Sequence, residues 1–203
     1  MTGRFITLEG MDGAGKSTHI PWIAEVLEQS GRTVRVTREP GGTALGERLR
    51  ELLLDPSQQV VPQTEALLMF AARRQHLETI ILPALASGEF VVCDRFTDAT
   101  FAYQGWGRGV SLDKLKVLEQ WVQETFQPAI TFYFDLPPEV ARARMAGIRS
   151  PDRFEQEQEA FFDRVRRGYL SRAREFPERI RVIDATSSVD EVRAALRPHL
   201  MAL

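Results

Sequence analysis

The sequence predicts an α/β fold of three layers, with helices on both faces of a mostly parallel sheet. Three observations lead there. Five short β-prone runs, at about 4–9, 33–37, 90–93, 130–135 and 180–183, alternate with helical segments. Those runs are apolar on successive residues, the pattern of strands covered on both faces. The third is the run Gly10-Met11-Asp12-Gly13-Ala14-Gly15-Lys16-Ser17, which fits G-x-x-x-x-G-K-[ST] at every fixed position.

The elements follow in order. Phe5-Ile6-Thr7-Leu8-Glu9 reads as the first strand, and Thr18 to Leu27 continues a helix over about 16–30. Strand, glycine loop and helix together are what a phosphate cradle requires. Further helices are expected at about 45–54, 63–87, 112–125, 138–146, 155–175 and 189–200. The long one holds Glu65-Ala66-Leu67-Leu68-Met69-Phe70-Ala71-Ala72-Arg73, good helix formers apart from Phe70. Ligands in open parallel sheets bind at the carboxyl ends of the strands, which places Gly10, Arg38, Asp94 and Asp135 at one edge. No repeat or linker divides the 203 residues, so one domain spans 1–203.

Composition excludes several classes. The formal net charge of −2 argues against general nucleic-acid binding. The single cysteine, Cys93, rules out an internal disulfide and suits a reducing compartment. It lies in Phe90-Val91-Val92-Cys93 and reads as a buried, inert thiol. No apolar stretch reaches about 18 residues and no signal-peptide pattern opens the chain, so a cytoplasmic protein without a membrane span is expected.

The glycine loop has a defined chemistry. Its glycines let backbone N–H groups turn inward, and the helix starting near Lys16 adds free donors and a positive dipole end. Lys16 reaches the β- and γ-phosphates, and the Ser17 hydroxyl suits Mg²⁺. The loop signals a nucleoside triphosphate but does not separate a kinase from a GTPase or a motor.

Four constellations refine this. Thr37-Arg38-Glu39-Pro40-Gly41-Gly42-Thr43 follows the second strand and leaves the ligand-bearing edge; its plainer reading is a connecting turn. Asp94-Arg95-Phe96 follows the third strand; the acid suits a magnesium-bound water and the arginine a phosphate. Tyr103-Gln104-Gly105-Trp106-Gly107-Arg108-Gly109 reads as a close-fitting site segment, with Tyr103 suited to wall off a sugar and Gln104 to meet a pyrimidine edge; its plainer reading is an ordinary glycine loop with a packed aromatic. Arg142, Arg144, Arg149 and Arg153 surround Gly147 and Pro151, as on a flap closing over phosphates, or simply on a solvated face.

In this order and spacing, with Asp152-Arg153-Phe154-Glu155 completing the set, the motifs resemble bacterial thymidylate kinases over nearly the whole chain. The resemblance implies the P-loop nucleoside monophosphate kinase fold, with a five-stranded parallel sheet and a lid at about 142–155. It implies transfer of the γ-phosphoryl of ATP to dTMP, with Mg²⁺, in dTTP synthesis, and a homodimer. Gly10, Met11, Asp12, Gly13, Ala14, Gly15, Lys16, Ser17 and Thr18 would hold ATP, joined by Arg144 and Asp184. Asp12 would meet the deoxyribose 3′-hydroxyl, and Arg95 the dTMP phosphate, with Arg38 and Glu39 nearby. Arg50 would line the base pocket, Thr100 and Gln104 would face thymine, and Tyr103 would crowd C2′. Ser17 and Asp94 would serve the metal.

Two departures stand out. The family carries Phe four residues before Arg at the base; here Met69 and Arg73 hold those places, with Phe70 one residue late. One residue is about 100° of helix rotation. Either Met69 packs the base or the helix is turned and Phe70 does; Phe70 with Arg73 is the expected pair. Ile148 stands at a frequent lid-arginine position, so Arg149 is the expected lid cation, with Arg144 next. Lys16, Arg95, Arg149 and Asp12 form the expected catalytic set. A kinase for another nucleotide or nucleoside is the alternative; a guanine-nucleotide switch is disfavoured because no Asn-Lys-x-Asp motif occurs.

Overall fold

The structure, a computed structural model, describes residues 3–147 and 152–203. Five parallel strands form the sheet: β1 (Phe5–Glu9), β2 (Val34–Arg38), β3 (Phe90–Asp94), β4 (Ile130–Asp135) and β5 (Ile180–Asp184). Their order is β2-β3-β1-β4-β5. Pairing aligns Arg38 with Asp94, Asp94 with Leu8, and Asp135 with Asp184. The polar ends of the strands thus gather at one edge of the sheet.

Side chains alternate between two cores. Phe90 and Val92 pack with Ile20, Ile23 and Val26 of α1 (Lys16–Gln29) and with Val192 and Leu196 of α9 (Val189–Met201). Val91 and Cys93 face Phe70 of α3 (Pro62–His76), Leu77 and Ile81, and Leu115 of α6 (Leu112–Gln123). Successive apolar residues are therefore needed where both faces are covered. That cover is complete for β3, β1 and β4. The edge strand β2 exposes Arg35, Val36 and Arg38.

Local signals set the boundaries that aim the site. Thr43 caps α2 (Ala44–Leu54), its hydroxyl accepting the Gly46 N–H at 2.8 Å, so the loop bearing Arg38 and Glu39 ends sharply. Pro62 opens α3 at a position where no N–H is needed. Ser188 and Glu191 form a capping box at α9.

The expected helix over 63–87 is present, but as α3, a π-helical turn Leu77–Ile81 and α4 (Leu82–Ala86). The plainer reading of 103–109 as a glycine loop does not hold, and the sequence places no helix there. Residues Thr97–Thr100 form α5, which widens into a π-helix over Phe101–Gly107. Its glycines serve close packing: a Cβ on Gly105 would lie 2.7 Å from Leu112, and one on Gly107 would lie 2.6 Å from Phe161. The remaining helices are α7 (Pro138–Met145) and α8 (Glu159–Glu175), the latter starting a turn later than the sequence suggests.

Candidate active site

The phosphate loop turns between β1 and α1 with Gly15 at φ 91°, a left-handed conformation open to glycine at little cost. At the start of α1 the Thr18 and His19 N–H groups donate to the Gly15 carbonyl at 3.1 and 3.3 Å, which leaves the N–H groups before them at the open end of the helix. Lys16 is buried, and its Nζ donates to the Gly10 and Met11 carbonyls at 3.0 and 3.1 Å. Asp12 and Asp94 lie 3.8 and 3.9 Å from it. Burial first, then the Arg95 charge, lowers the Lys16 pKa, while Asp94, Asp12 and Glu9 oppose the shift.

Two cavities flank this loop and share Asp12 and Asp94. The first is lined by Asp12 through Thr18, His19, Arg144, Ala185 and Ser187. Arg144 reaches across it, its Nη1 donating to the Ala185 carbonyl at 2.9 Å. Gly10 and Met11 lie behind the loop, both buried. Asp184 does not line this cavity. Its carboxylate instead accepts the Thr186 N–H and hydroxyl at 2.9 and 2.6 Å, shaping the turn that presents Ala185. Arg149 lies outside the described residues.

The second cavity collects Arg38, Glu39, Arg50, Arg73, Arg95, Thr100, Tyr103 and Gln104, together with Met69, Leu54, Phe96 and Phe154. Phe70 is absent from it: α3 turns that ring into the core, 2% exposed, and presents Met69. Of these two neighbours it is therefore Met69 and not the expected Phe70 that lines this cavity, the difference of one helical position.

The polar groups of this cavity are fixed from behind. Arg73 Nε donates to Glu39 at 2.7 Å, and Nη2 donates to the Phe96 carbonyl and the Thr100 hydroxyl at 3.0 and 2.9 Å. Its Nη1 makes no hydrogen bond among the described residues. His76 Nδ1 lies 3.0 Å from the second oxygen of Glu39, bracing the carboxylate from the other side. Gln104 gives its amide N–H to Glu65 at 2.7 Å, which leaves its carbonyl oxygen toward the cavity. Glu65 also ties down Arg108, and lies 2.7 Å from Arg153. Arg153 is thus a brace of the cavity wall.

Positive charge is crowded here. Arg95 donates to Asp12 at 2.8 Å and stands over the Tyr103 ring, 5.0 Å from its centroid. Burial first, then the charges of Arg38 and Arg95, lowers the pKa of Arg50. Guanidiniums that disfavour one another's charge mark a place for an anion. Tyr103 is buried, and burial pushes its phenol up, so it stays a neutral wall.

Magnesium fits the donor set at the shared edge. The Ser17 hydroxyl and the Asp94 carboxylate supply hard oxygens, and Asp94 Oδ1 is buried without a hydrogen bond among the described residues. Among the described residues no group of three or more His, Cys, Asp or Glu is placed to hold a metal ion.

Sequence reasoning missed Glu9, Glu65, His76 and Tyr169, which brace these groups from behind. Glu65 and Glu9 carried the one available signal: a charge on a face or strand that otherwise reads as buried.

A phosphate loop that feeds two cavities, one arginine-rich, defines the class: a P-loop phosphotransferase with separate places for donor and acceptor. Comparison with known proteins narrows it. The family described as "Thymidylate kinase" matches residues 8–196. A thymidylate kinase of Cupriavidus metallidurans is 60% identical over 203 residues, all of both chains. One of Nitrosospira multiformis is 59% identical, covering 100% of this chain and 99% of its own. The crystal structure of thymidylate kinase from Ehrlichia chaffeensis superposes with a TM-score of 0.81 at 34% identity, covering 99% of each chain. The chain belongs to the thymidylate kinase family and is a kinase.

Proposed function

We propose that this chain phosphorylates dTMP to dTDP with ATP as donor and Mg²⁺ as the metal, and that the two cavities hold the two nucleotides. The observation that carries this reading is the sharing of Asp12 and Asp94 between a phosphate-loop cavity and an arginine-lined cavity.

The acceptor oxygen belongs to a phosphate whose second pKa is about 6, so it is largely deprotonated at neutral pH. A general base is unnecessary, and positioning with charge neutralisation suffices. In the acceptor cavity Arg95 binds the dTMP phosphate, with Arg38 and Arg50 lowering its charge cost. Arg73 Nη1 donates to a thymine carbonyl, and the Gln104 carbonyl accepts the ring N–H. Met69 packs the base, and Tyr103 crowds C2′. Asp12 meets the 3′-hydroxyl and orients Arg95. In the donor cavity the loop and Lys16 hold the ATP phosphates, while Ala185 and Arg144 border the adenine end. Mg²⁺, held by Ser17 and assisted by Asp94, neutralises charge on the phosphates when bound. Arg149 is the proposed lid cation.

The same reading places the protein in the cytoplasm as a homodimer. Among the described residues no helix is long and apolar enough to cross a membrane. Val117 and Trp121, one turn apart on α6, are 69% and 78% exposed, and Leu67 of the adjoining α3 is 53% exposed. Such a patch suits burial against a second copy. Sedimentation as a monomer at working concentration would remove the dimer.

The reaction is tested by ADP release with dTMP, dUMP, dCMP, AMP and thymidine as separate acceptors. Strong stimulation by dTMP, less by dUMP and none by thymidine is expected. One methyl group in an apolar pocket discriminates by only about 1–3 kcal/mol, so dUMP should retain some activity. Stimulation by thymidine would redirect the acceptor assignment.

A further inference from the structure

Glu9 closes β1 as a fully buried acid that lines neither cavity. Its Oε1 accepts the Phe96 N–H at 2.7 Å. Its Oε2 accepts the Tyr169 hydroxyl at 3.0 Å. The same hydroxyl oxygen accepts Arg95 Nη1 at 3.3 Å. One carboxyl group therefore grips the peptide that follows Arg95 directly and the guanidinium of Arg95 through one intermediary.

Arg95 needs such a grip. Its φ is 71°, in the left-handed region that a side chain rarely adopts. Its backbone N–H is anchored to the Leu8 carbonyl at 2.9 Å, leaving the following peptide and the long side chain to be fixed. Asp12 takes the other terminal nitrogen at 2.8 Å, but Asp12 is itself part of the ligand-facing loop. Tyr169 is a rigid relay: it is 1% exposed and stacks on Tyr133 at 4.8 Å, whose hydroxyl donates to Asp135 at 2.8 Å. Arg166 clamps Asp135 with two hydrogen bonds of 2.7 and 2.8 Å.

We propose that Glu9 and Tyr169 are positioning residues for phosphate-acceptor recognition, acting together to hold Arg95 in its ligand-binding pose. The proposal rests on the reading of Arg95 as the ligand of the dTMP phosphate. Without the Tyr169 hydroxyl the guanidinium loses a fixed acceptor and must be ordered by the ligand at the ligand's expense. The base and sugar contacts do not depend on this chain of bonds.

The test measures equilibrium dissociation constants for dTMP and thymidine by calorimetry, with steady-state KM for ATP alongside. Tyr169→Phe keeps the ring and its stacking and removes only the hydroxyl. It should weaken dTMP about five- to thirtyfold and leave thymidine and the ATP KM within about twofold. In an Arg95→Ala background Tyr169→Phe should have no further effect on dTMP. Glu9→Leu should weaken dTMP in the same selective way, and Glu9→Gln, whose carbonyl can still accept the Phe96 N–H while its NH2 meets Tyr169 only by donating to the phenol oxygen, should bind dTMP more tightly than Glu9→Leu. Unchanged dTMP affinity in Tyr169→Phe, equal losses for dTMP and thymidine, or a loss that persists without Arg95 would each overturn the relay. Glu9→Gln binding no better than Glu9→Leu would remove Glu9 from it. The underlying reading fails separately, if Arg95→Ala leaves the preference for dTMP over thymidine intact.

Discussion

Neighbouring apolar residues on α3 have opposite destinies. Phe70 belongs to the core, and Phe70→Ala should cost about 3–5 kcal/mol of stability, read by denaturant melting, with the KM for dTMP nearly unchanged in the folded fraction. Met69 lines the acceptor cavity, and Met69→Ala should raise that KM several-fold with a much smaller stability loss. The reverse pattern would return the aromatic ring to the base. Lys16→Ala removes the one ammonium among the loop carbonyls and the two shared carboxylates; turnover should fall by about 10²–10³ or more, read as ADP release. Residues such as Lys16, Asp12 and Arg95 were legible in the sequence because fixed spacing ties them to strand ends. Met69 and Phe70 could not be ranked there, since both are apolar and one position changes the face. Tyr169 was illegible for a different reason: its partner Glu9 is 160 residues away in the chain.

Among the elements, the strands and long helices follow from apolar runs and caps, whereas the widened helix at Phe101–Gly107 does not. Glycine in sequence signals a turn, and here it signals contact. The same holds for Gly168 on α8, where an added Cβ would sit 2.9 Å from Ala102 Cα and from Trp106. Backbone cannot yield as a flexible side chain can. Gly168→Ala should therefore push α8 away from the π-helix and cost about 1–3 kcal/mol, visible as a lower melting temperature. Because that π-helix carries Tyr103 and Gln104, the KM for dTMP should rise too. An unchanged melting temperature would mean the two helices have slack.

The whole molecule couples its stability to one buried proton. The Glu9 carboxyl is pushed up from 4.5 to about 8, by burial first and then by the Asp98 charge, against Arg95, the Phe96 N–H and Tyr169. Between those values the folded protein keeps a proton that the unfolded chain has released. This contribution is complete below about 4.5 and is lost as pH rises through about 8. Glu9→Gln abolishes the titration, so its melting temperature relative to the unsubstituted protein should climb from acid to about pH 8; parallel curves would contradict the buried proton. The sheet order has a temporal consequence as well. β1 and β2 are the first strands to leave the ribosome, yet they never touch, because β3 is inserted between them and β4 covers the other side of β1. The phosphate loop is thus synthesised after β1 but before β3 and β4, the two strands that flank β1 in the finished sheet. A nucleotide that needs the finished site stabilises the protein only once those later strands are in place.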